Sequence, residues 1–151
     1  MVQADKTNKL KMKYILAGIG VLLSVALLGC NSNHTLGGKV TFSDDGAPVP
    51  HGIVTFSTSQ FQSVGAIRSD GSYVVGTMKL DDGIPPGTYT VTVGGVEEVT
   101  HTETLADGST INHYRSMIDT KYESPATSGL TFTADGKTQK FDIQLDRAPK
   151  K

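Results

Sequence analysis

Apolar and polar residues alternate in five short runs of this 151-residue chain, and this alternation limits the possible folds more than any other feature. Side chains two apart in a strand share a face, so each run predicts a strand with one side in a core and the other in water. Threonine is frequent on the polar sides, where its β-branch suits a pleated sheet. The runs lie at residues 39–43, 53–57, 88–93, 130–133 and 140–146.

Asp-Gly pairs separate these runs. Aspartate can accept hydrogen bonds from the turn backbone and glycine tolerates positive φ, which are the requirements of tight turns. The pairs at 70–71 and 135–136 stand directly between strand-like runs and predict β-hairpins there. No segment after residue 30 shows helical periodicity over ten residues. The pattern therefore predicts an all-β fold, an antiparallel sandwich or barrel.

Residues 97–115 break the pattern. They are polar and lack clean alternation, and they separate the strand ending near Val93 from Ile118. Two structures are consistent with this stretch: a protruding hairpin that turns at residues 107–109, or a long loop, which in a small domain is usually functional or mobile.

The N-terminus has the pattern of a secretory signal. Four lysines precede an apolar stretch at residues 14–28, and the small residue Gly29 precedes Cys30, the single cysteine. The tetrapeptide Leu-Leu-Gly-Cys at 27–30 resembles a bacterial lipobox. It predicts an N-terminal signal helix within residues 1–29, cleavage between Gly29 and Cys30, and acylation of Cys30 with diacylglycerol and palmitate-type chains. The alternative is that residues 14–28 remain as a transmembrane anchor.

The cysteine count and the charge balance argue against an internal disulfide and against nucleic acid as a partner. A lone cysteine forms no internal disulfide, so the exported domain must be stable without one. Removal of residues 1–29 leaves 10 Lys and Arg (14 − 4) against 14 Asp and Glu (15 − 1), a formal charge of −4 without a basic patch. That balance argues against nucleic-acid binding. The predicted organisation is a signal at 1–29, a lipidated tether at 30–37 and a β-sandwich at 38–147.

Several segments together resemble the carboxypeptidase regulatory-like domain, a small transthyretin-like β-sandwich. The resemblance rests on a Gly-x-Val strand, a Gly-x-Pro-Val turn, an Asp-Gly-x-Tyr turn, a Pro-x-Gly-x-Tyr-x-Val strand and a tail like that of planctomycete lipoproteins. These segments lie at residues 38–42, 46–56, 69–73, 84–93 and 118–131. The resemblance implies an accessory module that binds partners or sugars or acts as a spacer, with no shared catalytic residue.

From this we expect a non-catalytic binding or structural lipoprotein that needs no cofactor and no metal. Tyr114, Arg115 and Tyr122 are the candidate contact residues for an envelope protein or glycan, since polar residues surround them. Asn31 follows the cysteine, which resembles the sorting signal of outer-membrane lipoproteins. We therefore expect a lipid-anchored protein of the cell membrane or outer membrane, facing the periplasm or the cell surface.

The alternative is a hydrolase or metal-dependent enzyme built on residues 97–115. His113-Tyr114-Arg115-Ser116 is similar to the terminal motif of hydroxyisourate hydrolases, but it lacks the glycine and is not terminal. A regular strand would place Glu97, His101 and Glu103 on one face, spread over about 20 Å, so a metal would require a bend or a cross-strand partner such as His113. An enzyme predicts a concave pocket where both histidines and a carboxylate converge.

Overall fold

The computed structural model describes residues 33–79, 81–137 and 139–149, and its regular elements in this part of the chain are almost all strands. The strands are β1 Leu36–Phe42, β2 Gly52–Ser57, β3 Gln62–Ile67, β4 Ser72–Val74, β5 Gly87–Gly94, β6 Glu97–Thr104, β7 Thr110–Ser116, β8 Leu130–Ala134, β9 Gln139–Lys140 and β10 Ile143–Leu145. One 3₁₀ turn spans Thr120–Glu123. Within these ranges, no helical segment has the length and apolarity that a membrane crossing needs.

Two four-stranded sheets form a β-sandwich, which confirms the predicted all-β fold. Sheet 1 has the order β10-β1-β4, with β9 also paired to β1, and sheet 2 has the order β3-β2-β5-β8. Sheet 2 is antiparallel throughout. Sheet 1 is mixed rather than purely antiparallel, because β9 and β10 both run parallel to β1. The third pairing, β6 with β7, forms a separate two-stranded ribbon.

The core lies between the two sheets and follows the predicted alternation. In β1, Val40 and Phe42 are buried while Thr41 between them is only half-buried, and β2 and β5 repeat the pattern. Phe56 of sheet 2 contacts the rings of Tyr73 and Phe141 from the opposite layer at centroid separations of 6.3 and 6.2 Å. These offset and edge contacts add to the free energy gained from burial alone.

The Asp-Gly pairs form tight turns, but the hairpin predicted at 135–136 is wrong and the one predicted at 70–71 is reduced to a single bridge, because in both cases the flanking strands belong to different sheets. Asp135-Gly136 leads from β8 in sheet 2 to β9 in sheet 1, so it crosses between layers. Asp70-Gly71 likewise connects β3 of sheet 2 with β4 of sheet 1, and an isolated bridge from Val64 to Gly76 joins the two segments. The local chemistry is as predicted: Asp70 Oδ1 accepts hydrogen bonds from the backbone and hydroxyl of Ser72, at 3.0 and 2.6 Å.

The sandwich begins earlier than predicted. His34 forms an isolated bridge with Ile84, and β1 starts at Leu36, whose side chain is fully buried. The last residues of the predicted tether 30–37 therefore belong to the folded domain. The predicted signal helix, Gly29 and Cys30 lie outside the described residues.

Candidate functional site

The ribbon of β6 and β7 is the most exposed part of the described structure. Its turn lies at residues 105–109, where Asp107 Oδ1 accepts hydrogen bonds from the Ser109 backbone N–H and hydroxyl at 2.9 and 2.7 Å. The Ser109 hydroxyl is the main cause of the lowered pKa of Asp107. Of the two structures predicted for residues 97–115, the hairpin is confirmed and the long loop is wrong.

Two buried residues fix the base of the ribbon. Val96 immediately precedes β6 and Ile118 closely follows β7, and both belong to the sandwich core. The backbone N–H of Met117 donates to the Val96 carbonyl at 2.9 Å, which closes the base of the ribbon. His51 Nε2 lies 2.9 Å from the Glu97 carbonyl oxygen. The sandwich therefore positions a ribbon whose remaining length lies in solvent.

A β-bulge at Thr100 decides which side chains share a face of the ribbon. Val99 pairs with Tyr114, whereas His101 pairs with His113, so Thr100 is the extra residue of β6. Because strand side chains alternate, the extra residue switches the face of everything that follows it. The prediction that Glu97 would share a face with His101 and Glu103 is therefore wrong.

One side of the ribbon, called the histidine face here, carries Glu98, His101, Glu103, Ile111, His113 and Arg115. The His101 and His113 rings stack with centroids 5.8 Å apart and an interplanar angle of 24°. His113 Nε2 lies 3.3 Å from Glu103 Oε2, and Arg115 forms an ion pair with Glu98. The side chains of both contacts are about half exposed, so water screens them and they contribute little stability.

The opposite side, called the tyrosine face, carries Val99 and Tyr114 as a directly opposed pair. Val99 is 51% exposed and Tyr114 is 59% exposed. Farther along the same face, the Thr102 hydroxyl donates to Asn112 Oδ1 at 2.8 Å. Both side chains are exposed to solvent and have no core beneath them. This face is therefore suitable for contact with a partner.

Tyr114 and Arg115 are both on the ribbon as predicted, but they lie on opposite faces. Tyr122 is not an exposed contact residue, and that prediction is wrong: it is 7% exposed and packs into the core from the 3₁₀ turn. The sequence does not identify Val99 as a contact residue, because a single valine in a polar strand is equally consistent with a buried and an exposed position. Its exposure follows from the ribbon having no sheet beneath it.

Two clefts lie at the base of the ribbon, and Arg115 lines both. The first, of about 180 Å³, is formed with Glu98, Met117 and Arg147 among others. The second, of about 380 Å³, lies between Arg115 and Pro149. His101 and His113 line neither cleft, so the histidine face is open rather than concave. In the described ranges, no group of three or more His, Cys, Asp or Glu side chains is arranged to hold a metal ion.

Comparisons with known proteins give distant likenesses in structure. No family model and no curated protein matches the chain. Among solved structures, the major pilin subunit BcpA of Bacillus cereus is 11% identical, with a TM-score of 0.39 over 78% of this chain and 30% of the pilin. A 9R-lipoxygenase from Cyanothece is 12% identical, with a TM-score of 0.32 over 75% of this chain and 16% of the lipoxygenase. Both TM-scores lie below 0.5, too low to indicate a shared function.

Proposed function

We propose that this chain is a lipid-anchored protein of the bacterial cell envelope, and that its sandwich is a non-catalytic binding module whose contact surface is the β6–β7 ribbon. The anchor would be acylated Cys30. The sequence supports this with its basic N-terminus, its short apolar stretch and the Leu-Leu-Gly-Cys motif at 27–30. Two or more acyl chains on one cysteine give lasting attachment, whereas a single chain gives marginal attachment.

The observation that carries the binding role is the exposure of the ribbon on both faces. An isolated two-stranded hairpin is marginally stable in water. Here the core residues Val96 and Ile118 fix its base, while nearly every residue of β6 and β7 is exposed. Because this segment contributes so little to the core, we assign it a role other than stabilising the fold. Contact with a partner is the function that exposed strands and side chains of this kind support.

The chemistry of the tyrosine face favours an envelope protein or glycan as the partner. Tyr114 presents an amphipathic ring that can pack on an apolar side chain or on a sugar ring, and Val99 extends the apolar surface beside it. Arg115, the other predicted contact residue on the ribbon, lies on the opposite face and pairs with Glu98, so a contact that includes it would have to involve both faces of the ribbon.

The alternative function, a hydrolase or metal-dependent enzyme on residues 97–115, requires a concave pocket that holds both histidines and a carboxylate. The histidine face brings these groups together without enclosing them. Water would therefore remain in contact with all three groups, which weakens electrostatic catalysis. We favour the binding module for this reason.

Site-specific photocrosslinking in the native host tests the binding role. A photoreactive amino acid at position 114 is expected to give a discrete crosslinked species. The matched control is position 131, exposed on β8 of the sandwich, which should give none. Identical crosslinking at both positions, or none at position 114, would count against the ribbon as the contact surface.

The intact mass of the protein extracted from host membranes tests the anchor. The expected mass is that of residues 30–151 plus acyl chains, and Cys30→Ser should abolish both the cleavage and the added mass. A mass equal to the full, unmodified chain would refute lipidation and leave residues 14–28 as an uncleaved anchor.

A further inference from the structure

The bulge at Thr100 has a specific chemical effect, because it places two imidazoles on one face. In an uninterrupted ladder continuing from the Val99–Tyr114 pair, Thr100 would oppose His113, and His101 would lie on the other face. The extra residue instead makes His101 the direct neighbour of His113, with ring centroids 5.8 Å apart. Bulges frequently redirect side chains next to functional sites.

Glu103 determines which nitrogen of His113 is free to bind a ligand. Its carboxylate accepts hydrogen bonds and donates none, so the 3.3 Å contact with Nε2 requires the proton to be on Nε2. The lone pair of the neutral ring is then on Nδ1. A histidine that binds a metal ion through one ring nitrogen usually donates a hydrogen bond from the other nitrogen, often to a carboxylate.

We propose that His101 and His113 bind one divalent transition-metal ion, such as Zn²⁺ or Cu²⁺, and that Glu103 is a positioning residue for His113. Imidazole nitrogen is a good ligand for both ions. Metal–nitrogen distances of about 2.0–2.1 Å require the two nitrogen atoms to approach within about 4 Å of each other. Both side chains are exposed, so rotation about their χ angles brings them together without disturbing a core.

The remaining ligand positions of the ion face solvent, because nothing in the described structure covers the histidine face. Water completes the coordination, so the site needs only two protein ligands. Among residues 33–79, 81–137 and 139–149, no group of three or more His, Cys, Asp or Glu side chains is arranged to hold a metal ion, so the proposal is limited to two protein ligands. The proposed site lies on the opposite face from Val99 and Tyr114, so it does not depend on the proposed partner contact.

Titration of the purified full chain with Cu²⁺ and with Zn²⁺, against a competing chelator, tests the proposal. One ion should bind per chain, with Cu²⁺ tighter than Zn²⁺. His101→Ala and His113→Ala should each weaken binding at least tenfold, and electron paramagnetic resonance of the Cu²⁺ complex should show two nitrogen ligands. His34→Ala, which replaces a histidine of the sandwich outside the ribbon, is the matched control and should bind as the unaltered protein does.

Glu103→Gln separates the positioning role from ligation. A glutamine can donate to His113 as well as accept from it, so the preference for the free Nδ1 is lost. The expected result is two nitrogen ligands in the Cu²⁺ spectrum as before, with an affinity reduced less than in either histidine variant. Unchanged binding in the His101→Ala/His113→Ala double variant, with the fold intact by circular dichroism, would overturn the proposal. Equal loss in His34→Ala would overturn it as well.

Discussion

The Tyr122 hydroxyl donates a hydrogen bond to Asp146 Oδ2 across 3.0 Å, and this contact joins the 3₁₀ turn to the end of β10. The same carboxylate accepts from Lys121 Nζ at 2.6 Å and from the Ser43 hydroxyl at 2.7 Å. Asp146 thus connects three segments that are far apart in the chain. The aromatic ring of Tyr122 can be buried because its polar end has a partner.

The stability of the protein should depend on pH through the protonation of the Asp146 carboxylate. The pKa of Asp146 is lowered to about 2. The hydrogen bond from Lys121 is the main cause, and those from Ser43 and Tyr122 follow. The folded-state pKa lies below the ordinary aspartate value of 3.8, so the contribution to stability is complete above about pH 4 and is lost as the pH falls through 2. In urea denaturation, Asp146→Asn should be less stable than the unaltered chain at pH 6, and the difference should shrink towards pH 2. A difference independent of pH would contradict this assignment.

Truncation of Tyr122 should reduce stability strongly, whereas truncation of Tyr114 should leave it almost unchanged. Tyr122→Ala removes a core side chain that is 7% exposed, and we expect a loss of about 3–5 kcal/mol in the free energy of unfolding. Tyr114→Ala removes a side chain that is 59% exposed, and its effect should stay within about 0.5 kcal/mol. Chemical denaturation measures both. A large loss from Tyr114→Ala would mean that the ribbon supports the fold and is not a free contact surface.

Two glycine substitutions test how closely β1 approaches the segment before β10. A Cβ at Gly38 would fall well inside van der Waals contact of the Phe141 carbonyl oxygen, and backbone atoms cannot move aside easily. Gly38→Ala should therefore cost about 1–3 kcal/mol or more, or prevent folding. A Cβ at Gly94 meets nothing within 4 Å, so Gly94→Ala should leave stability unchanged or raise it by about 0.4–1 kcal/mol. Equal thermal midpoints would contradict this difference.

The hydroxyl of Tyr73 should contribute to stability separately from its ring. It donates to the Phe141 carbonyl at 2.6 Å, and burial raises the pKa of the Tyr73 phenol above its ordinary value. Tyr73→Phe keeps the ring against Phe56 but leaves this acceptor without its donor. The expected loss is about 1–3 kcal/mol, measured by urea denaturation. Tyr114→Phe, which removes an exposed hydroxyl, is the control and should change stability by less than about 0.5 kcal/mol.

Much of the sandwich is predictable because strand side chains alternate with a period of two. The inward positions of Val40 and Phe42 in β1, and of Val54 and Phe56 in β2, follow directly from that period. The turn chemistry of Asp70-Gly71 and Asp107-Gly108 is also local and equally predictable. These features depend on residues within a few positions of one another, which is why they can be predicted from the sequence alone.

Other features of the sandwich and of the ribbon depend on contacts between residues far apart in the chain. The burial of Tyr122 requires Asp146, 24 residues later. The crossing between layers at Asp135-Gly136 depends on which strands β8 and β9 pair with. A turn determines where the chain changes direction, but it does not determine which strands the flanking segments join. The pairing of His101 with His113 depends on the single extra residue at Thr100, which no local pattern marks.

The sequence by itself determined that this chain folds into strands, which residues of the alternating runs face the core, and where the tight turns lie. Only the tertiary structure decided that β9 and β10 run parallel to β1, that Tyr122 is buried while Tyr114 is exposed, and that both histidines share one face of the ribbon. The physical reason is that alternation and turn chemistry act between near neighbours in the chain. Strand pairing, register and burial are decided by contacts between residues that only the completed fold brings together.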